Sequence, residues 1–291
     1  SPKHTMVYVN QKGQTLRCYA EREDGLTGHR IPLTSAWNGT SVGAIGPFVA
    51  GDFMEFLGWF ISEGWKPQGG TIGIGQSEKA HPANCRRLEA LFDRMGLRWQ
   101  QTPDKTQYRV SCKPFTADLS ALLRSLGKAH DKHIPAQFFS LDRHSLEILM
   151  ESLLLGDGHT RQRAHQNKPC RVYYTVSKRL ADDVQTLAQL IGLRGIVRQR
   201  HRLGGKIAGR QLPAALLYEV TIGSDAHCKY TNLKRAIVPY NDTAFCVTVK
   251  NHAVYVRRDG KACWCGNSAF DYPGSDIMID EVSPAIHNIH F

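Results

Sequence analysis

The fold of this 291-residue chain is decided by a segment that occurs twice: FLGWFISEG at residues 56–64 and MESLLLGDG at residues 150–158. In each copy an apolar stretch ends in a small residue, an acidic residue and a glycine. The two acidic positions, Glu63 and Asp157, are 94 residues apart. Self-similarity at a fixed period indicates a duplicated structural unit.

The apolar residues of both copies recur at the spacing i, i+3, i+4, i+7 and i+8, which predicts a helix with one buried face. They are Phe53, Phe56, Leu57, Phe60 and Ile61 in the first copy, and Leu146, Leu149, Met150, Leu153 and Leu154 in the second. Gly58 and Ser152 are small residues where a partner helix could approach closely. Gly64 and Gly158 predict a left-handed cap at the end of each helix.

The segments after each motif repeat as well. A strand-like stretch, a helical stretch and a second strand-like stretch follow each copy, at residues 71–75, 85–97 and 108–111, and again at 172–176, 180–193 and 218–221. This duplicated order predicts an α+β domain with pseudo-twofold symmetry. Outside it, residues 6–9, 31–33, 245–249 and 253–256 alternate like strands. The duplicated domain is therefore expected to be inserted into an all-β domain.

The acidic residues at the two motif ends predict a metal site. If the helices pack together, Glu63 and Asp157 emerge at the same end, where they repel each other and lie near the negative ends of both helix dipoles. A single acid at a helix end is usually solvated surface, but two at equivalent repeat positions favour a shared cation. Hard carboxylate oxygens suit Mg²⁺ or another divalent cation, and such metals assist phosphodiester cleavage.

The charge pattern predicts an anionic partner, because the chain has a formal net charge of +11. Residues 184–218 contain no acidic residue, and their basic side chains are Arg194, Arg198, Arg200, Arg202, Lys206 and Arg210. The arginines at 198, 200 and 202 would share one face of a strand, and Gly204-Gly205 offers a hairpin turn. Such a ribbon fits a DNA major groove. Whether its arginines contact phosphates or guanine edges, or merely form a solvated face, stays open.

Several classes of protein are disfavoured. No apolar run approaches the length of a membrane span, and no signal-peptide pattern follows Ser1. The eight cysteines are scattered, and only Cys263 and Cys265 are close, which argues against a zinc site and for free thiols in the cytoplasm. The chain begins without Met, as if within a domain, so we expect it to be truncated at its N terminus.

The two motifs resemble those of the LAGLIDADG homing endonucleases found in inteins. Residues 132–135 (KHIP) resemble the family's Lys-x-Ile-Pro element, residues 175–183 resemble the block after the second motif, and the resemblance covers about 51–236. It implies that Glu63 and Asp157 are metal-binding catalytic acids and that Lys132 supports the reaction near the scissile phosphate. Glu63 replaces the more usual Asp. Double-stranded DNA is the implied substrate, and we expect a monomer.

The flanking pieces resemble the Hint domain of intein splicing. Residues 1–4 resemble the block whose histidine, here His4, activates the N-terminal scissile bond, and residues 245–252 resemble the block that supplies a catalytic histidine, here His252. Cys246 stands where many inteins have Asp. Residues 264–268 resemble a C-terminal junction, with Asn267 cyclising and Ser268 accepting the acyl group. Gly266 replaces the usual histidine, and the N-terminal nucleophile is not in this chain.

The residues after the junction would belong to a host protein joined in cis. Residues 277–281 (IMIDE) resemble a Walker B element, which implies a P-loop ATPase such as a phage terminase large subunit. The predicted domains are therefore 1–50 and 237–267 for the Hint domain, 51–236 for the endonuclease and 268–291 for the host fragment.

Three hypotheses follow from these patterns. The favoured one is an intein-encoded endonuclease that makes a site-specific double-strand break within a self-splicing element. In the second, the duplicated domain binds DNA without cutting it. In the third, only protein splicing is active.

Overall fold

The computed structural model describes residues 4–19, 28–35, 37–66, 70–161, 170–202, 204–207, 210–212, 214–232 and 253–268. The predictions made on Cys246, His252 and residues 277–281 lie outside these residues. For His4, Lys206, Arg210, Asn267 and Ser268 the description is limited to the backbone.

The elements follow one another in this order. Before the first motif lie the strands β1 (His4–Val9), β2 (Thr15–Tyr19), β3 (Arg30–Pro32), β4 (Ala44–Ile45) and β5 (Phe48–Val49). The first repeat contains α1 (Ala50–Glu63), β6 (Gly64–Trp65), β7 (Thr71–Gly75), α2 (Pro82–Arg94), β8 (Trp99–Gln101) and β9 (Gln107–Ser111). The connection contains α3 (Ala117–Ser125) and a 3₁₀ turn (Ala136–Ser140).

The second repeat contains α4 (Arg143–Asp157), β10 (Gly158–Arg161), β11 (Cys170–Thr175), α5 (Lys178–Leu190), β12 (Arg194–Arg202), β13 (Gly205–Ile207), β14 (Arg210–Leu212) and β15 (Ala215–Gly223). After it come β16 (His227–Lys229), a 3₁₀ turn (Tyr230–Asn232), β17 (Ala253–Arg258) and β18 (Lys261–Ser268).

The two repeats have the same topology. Each runs helix, strand pair, helix, strand pair, and each forms a four-stranded sheet, in the order β6-β7-β9-β8 in the first repeat and β10-β11-β15-β12 in the second. The predicted α+β duplication is confirmed. The second repeat adds the two-stranded ribbon β13-β14 between β12 and β15.

The motif helices α1 and α4 pack against each other through the predicted apolar faces. All ten predicted face residues are buried except Leu154, which is half-buried. At the contact, a Cβ on Gly58 would overlap the Ser152 hydroxyl and would lie 3.1 Å from the Leu149 carbonyl oxygen. The predicted role of these small residues is confirmed, because any larger side chain would force the helices apart.

The predicted left-handed caps at Gly64 and Gly158 are wrong. Gly64 has φ −95° and ψ 152°, and Gly158 has φ −102° and ψ 162°, so each helix passes directly into an extended strand. Glycine is needed there for space: a Cβ on Gly64 would lie 2.5 Å from the Phe60 carbonyl oxygen, and one on Gly158 would lie 2.7 Å from the Leu154 Cα. The tight exit of the chain therefore requires a residue without a side chain.

The predicted hairpin turn at Gly204-Gly205 is also wrong. β12 ends at Arg202, and Gly205 already begins β13, which pairs with β14 through Ile207 and Arg210. The chain therefore reverses after Ile207. The basic residues of this segment divide between a strand of the four-stranded sheet, β12, and the separate ribbon that carries Lys206 and Arg210.

A second compact unit is formed by segments on both sides of the duplication. It draws on residues 1–37, 192–194 and 224–291, while the duplicated unit comprises 38–191 and 195–223. Its six-stranded sheet runs β16-β3-β1-β18-β17, with β2 also paired to β1. Strands from the two ends of the chain are thus neighbours, and the duplicated unit is inserted in sequence between them. The assignment of this second compact unit to a splicing domain stays a prediction.

No helix within the described ranges has the length and apolar character that a membrane crossing requires.

We expect Gly58→Ala to destabilise the duplicated unit by about 1–3 kcal/mol, because the new methyl group would overlap Ser152 in a packed core. Gly51→Ala in the same helix is the matched control, since its Cβ would meet only the flexible end of Ile148 at 3.3 Å. That variant should be neutral or slightly stabilising because alanine favours helix. Denaturant midpoints measure both, and equal effects of the two substitutions would contradict the tight contact at Gly58.

Candidate active site

The C-terminal ends of α1 and α4 are joined by direct contacts. The Ser62 hydroxyl donates to the Leu153 carbonyl at 3.2 Å and lies 3.2 Å from the Tyr173 hydroxyl. A Cβ on Gly156 would lie 2.5 Å from the Ser62 Cβ and 3.3 Å from the Glu63 Cγ. The Glu63 side chain therefore lies against the backbone of the second motif, one residue before Asp157.

Glu63 and Asp157 line one cleft of about 1440 Å³ together with Lys132. The structure thus brings together three residues that are 69 and 25 positions apart along the chain. The predicted proximity of the two acids follows from the packing of α1 on α4. The catalytic role of these three residues stays a prediction.

Lys132 is held beneath the first motif. It is 5% exposed, and its Nζ donates to the Phe60 carbonyl at 2.6 Å and to the Gly64 carbonyl at 2.7 Å. The ammonium group also lies 4.4 Å from the centre of the Phe60 ring. These bonds satisfy main-chain oxygens at the C-terminal end of α1, where a cation is favoured by the helix dipole.

The loop that carries Lys132 is fixed by the helix that follows the second motif. The Ser177 hydroxyl donates to the Lys132 carbonyl at 2.7 Å and also accepts from the Leu180 amide, which caps α5. Further along α5, the Asp183 carboxylate accepts a hydrogen bond from the Ile134 amide at 2.9 Å. The two segments that resembled family blocks, 132–135 and 175–183, are therefore in direct contact.

Burial and charge shift the pKa of all three groups. Burial, and then repulsion from Glu63, raise the pKa of Asp157 to about 7, although Lys132 opposes this. Burial also raises the pKa of Glu63, against the attraction of His81 and Lys132. Burial lowers the pKa of Lys132 to about 8, against the attraction of Asp157 and Glu63. A single buried lysine thus faces two carboxylates that are costly to ionise together.

The donor set fits a hard divalent cation. Two partly desolvated carboxylates supply oxygen ligands, and a cation would offset the repulsion that raises their pKa values. The described residues contain no group of three or more histidine, cysteine or acidic side chains placed to hold a metal. A centre built on two carboxylates leaves ligand positions for water and phosphate oxygens, which is the arrangement that Mg²⁺ prefers.

The cleft around the carboxylates is basic. Its charged lining consists of Glu63 and Asp157 on the acidic side and, on the basic side, Lys66, Arg124, Lys128, Lys132 and Arg202. The sequence did not predict that Lys66, Arg124 and Lys128 line the cleft, because they lie in three separate segments without a shared pattern. Ser62 and Tyr173 were also missed. The repeat of small–acidic–Gly could have pointed to Ser62, but nothing local marks Tyr173.

The arginines of β12 have unequal positions. Arg198, Arg200 and Arg202 are exposed and alternate along the strand, as predicted, and Arg202 lines the cleft. Arg194 is half-buried and lies in the other compact unit, where its charge acts on Tyr255. The backbones of Lys206 and Arg210 belong to β13 and β14. A DNA-binding role for these six residues stays a prediction.

Residues 149–231 match the family model described as a LAGLIDADG-like domain. The match begins inside α4, seven residues after its Asp142 cap, and extends past β15, so it covers most of the second repeat. Residues 149–231 are therefore similar to a LAGLIDADG-like domain.

Three curated proteins are similar to parts of the chain. A 115-residue segment is 30% identical to the DNA-directed RNA polymerase subunit beta C-terminal section of Stigeoclonium helveticum, covering 36% of this chain and 11% of that protein. Fifty residues are 42% identical to the ATP-dependent Clp protease proteolytic subunit of Chlamydomonas moewusii, covering 17% and 5%. An uncharacterized protein of Methanocaldococcus jannaschii is 24% identical over 157 residues, covering 49% and 17%. The chain spans less than a fifth of each relative.

Solved structures with partial similarity include two of the homing endonuclease I-DmoI. One describes mesophilic variants, with a TM-score of 0.36 and 13% identity over 60% of this chain and 89% of that one. The other is a complex with DNA and Mn, with a TM-score of 0.35 and 15% identity over 60% and 90%. The N-terminal LAGLIDADG domain of DUF199/WhiA has a TM-score of 0.35 and 10% identity over 58% and 75%.

The raised pKa of Asp157 predicts a pH-dependent cost in stability without divalent metal. The folded state holds this proton more tightly than the unfolded state does, so the stability it contributes is present at low pH and is lost as the pH rises through about 7. Asp157→Asn removes this pH-dependent loss of stability. The free energy of unfolding of the variant, relative to that of the native chain, should therefore rise between pH 5 and pH 8 by on the order of 1–2 kcal/mol.

Thermal unfolding in EDTA at the two pH values measures this difference. Asp118→Asn is the control, since Asp118 is an exposed carboxylate on α3. If the difference in thermal midpoint between Asp157→Asn and the native chain is the same at both pH values, Asp157 is ionised in the folded state without penalty.

Proposed function

We propose that the duplicated unit is a site-specific endonuclease that breaks both strands of DNA with a divalent metal ion. The observation that carries the proposal is the placement of Glu63 and Asp157, at equivalent ends of packed repeat helices, in one basic cleft with the buried Lys132. The LAGLIDADG-like match over the second repeat supports the same conclusion. Both carboxylates belong to one chain, so a monomer suffices.

The chemistry divides among these side chains. Glu63 and Asp157 would hold Mg²⁺ or another divalent cation, which activates water and stabilises a leaving oxygen when bound. Lys132 has two of its three N–H groups committed to the carbonyls of Phe60 and Gly64, which leaves one for a phosphate oxygen. With a pKa near 8, its ammonium group is also able to pass a proton at the pH of the cell.

The substrate would lie across the cleft and the exposed side of β12. Lysine and arginine side chains surround the carboxylates, so the DNA backbone is attracted to the place where the acids alone would repel it. Binding should weaken steeply with salt, as expected when several phosphates are neutralised.

We further propose that the endonuclease is carried by a self-splicing element within a host protein. The curated relatives have unrelated names, and each match is confined to less than a fifth of the relative, which supports an inserted segment. The host exteins would be the partners in cis, and the site of action would be the cytoplasm. The P-loop ATPase-like host sequence lies beyond the described residues.

The topology of the flanking unit supports the splicing proposal. β1 and β18 are antiparallel neighbours, and the backbone of His4 pairs with that of Ser268. His4, from the segment that resembles the N-terminal splicing block, is therefore adjacent in backbone pairing to the segment that resembles the C-terminal junction. A Cβ on Gly266 would lie 2.7 Å from both the Thr5 Cβ and the Thr5 carbonyl oxygen. If residues 264–268 are the junction, this crowding would account for glycine at the position of the usual histidine.

The nuclease proposal is tested with a plasmid that carries the uninterrupted host gene, in Mg²⁺. Glu63→Gln and Asp157→Asn should each lower the cleavage rate by at least about 100-fold, since each removes a charged ligand from the metal centre. Binding of the same DNA should persist, because the basic residues are unchanged. Asp118→Asn should cleave at the native rate.

The alternatives give different results in this experiment. A native chain that binds the plasmid but never nicks it with Mg²⁺ or Mn²⁺ would indicate a DNA-binding domain without nuclease activity. A native chain that neither binds nor cuts would leave protein splicing as the only activity.

The splicing proposal predicts release of residues 268–291 from the purified chain. The side-chain amide nitrogen of Asn267 would attack the main-chain carbonyl carbon of the same residue. This step forms a succinimide, breaks the peptide bond to Ser268 and frees the amino group of Ser268. Mass spectrometry should find this fragment after incubation of the native chain, and Asn267→Ala should abolish it. Release that continues unchanged in Asn267→Ala would place the junction elsewhere.

A further inference from the structure

A buried glutamate lies among the arginines of the second sheet. Glu219 on β15 is 3% exposed and contacts two guanidinium groups. Arg161 on β10 donates to it through Nη1 at 3.1 Å and Nη2 at 3.4 Å, and the Nε of Arg200 on β12 lies 3.6 Å from its second oxygen. Tyr174 on β11 receives a hydrogen bond from Arg161 through its hydroxyl oxygen. These four residues form one row, with one member from each strand of the sheet.

The row lies on the face of the sheet that is turned away from the motif helices. Tyr173 directs its hydroxyl to Ser62 on α1, and side chains alternate along a strand, so Tyr174 points to the opposite face. Glu219 is the direct cross-strand partner of Tyr174 and shares that face. Tyr174 also lines the cleft that contains Glu63 and Asp157. The row therefore borders the proposed DNA site.

An acidic residue in this position needs an explanation, because it would repel DNA if it were exposed. Its burial under two arginines leaves the outer sides of the guanidinium groups accessible: the side chains of Arg161 and Arg200 are 43% and 56% exposed. A carboxylate that holds a guanidinium group in one orientation reduces the rotamer entropy lost on binding. Orientation matters for a planar fork that bonds two acceptors at once.

We propose that Glu219, which is itself held by Arg161, is a positioning residue that orients Arg200 to read base edges, whereas Arg198 and Arg202 contact phosphates. Within the described part of the chain, Arg198 and Arg202 have no carboxylate partner, and Arg202 lies at the cleft of the proposed metal centre. Guanine is the expected base, because its O6 and N7 accept both arms of an arginine fork in the major groove. The proposal rests on the endonuclease function and assigns roles to the arginines that the sequence left open.

The experiment uses a duplex that the native chain selects from a randomised library in Ca²⁺, with a random duplex of equal length as the non-specific probe. Arg200→Lys keeps the charge but removes the fork, so discrimination between the two duplexes should fall about tenfold, as for loss of one bidentate base contact. Glu219→Gln should lower discrimination similarly while binding of the random duplex stays equal or strengthens. Arg179→Lys on the exposed side of α5 is the control and should change neither affinity.

The phosphate contacts have a different signature. Arg198→Ala and Arg202→Ala should weaken binding of both duplexes alike and reduce the slope of log affinity against log salt by about 1 each. Arg200→Ala should change that slope by less than half as much. Thermal midpoints of all variants show that each one folds, and Arg200→Lys tests the proposal even if loss of the buried Glu219 charge disturbs the sheet.

Two results would overturn the inference. If Arg200→Lys leaves discrimination within twofold of the native value, Arg200 does not read bases, although the nuclease proposal survives. If the native chain selects no sequence from the library, the proposed site-specific endonuclease fails together with the inference.

Discussion

The close packing of α1 on α4 is the constraint on which the rest of the duplicated unit depends. Gly58 admits the Ser152 hydroxyl, and Gly156 admits Ser62, so the two helices end side by side. Because each helix is followed without a turn by a strand, the same contact sets where both sheets begin. It also places Glu63 and Asp157 at one cleft, since each acid is the last residue of its helix.

This arrangement carries an energetic cost that the surrounding structure offsets. Two carboxylates lose solvent and face each other, which raises the pKa of both. A large apolar core and charged pairs between the helices offset this cost: Arg87 of α2 bonds to Glu55 on α1 and to Glu151 on α4. Sites that conflict with stability in this way are typical of functional centres. Among the described residues Lys132 is the one buried side chain with a positive charge, and it is itself held by α5.

Most of the architecture of the duplicated unit could be predicted because its signals are local. Apolar residues at helical spacing identified α1 and α4, and the repeated strand and helix patterns identified β7, α2, β11 and α5 to within a few residues. The errors came where local preference and tertiary space disagree. Gly64 was expected to supply a left-handed cap, yet its conformation is extended and its lack of a side chain is required by the Phe60 carbonyl. Gly204-Gly205 looked like a turn, yet Gly205 pairs within β13.

By itself the sequence determined the duplication, the buried helix faces, the acidic ends and the identity of Lys132 as a candidate, because each of these depends on periodicity or on a short motif. Only the tertiary structure decided which distant groups meet. Ser177 holds the Lys132 loop across 45 residues, and Glu219 contacts Arg161 across 58. The shifted pKa values and the separation of supported from unsupported arginines follow from those contacts. Burial and cross-strand pairing create them, and neither leaves a pattern in the residues nearby.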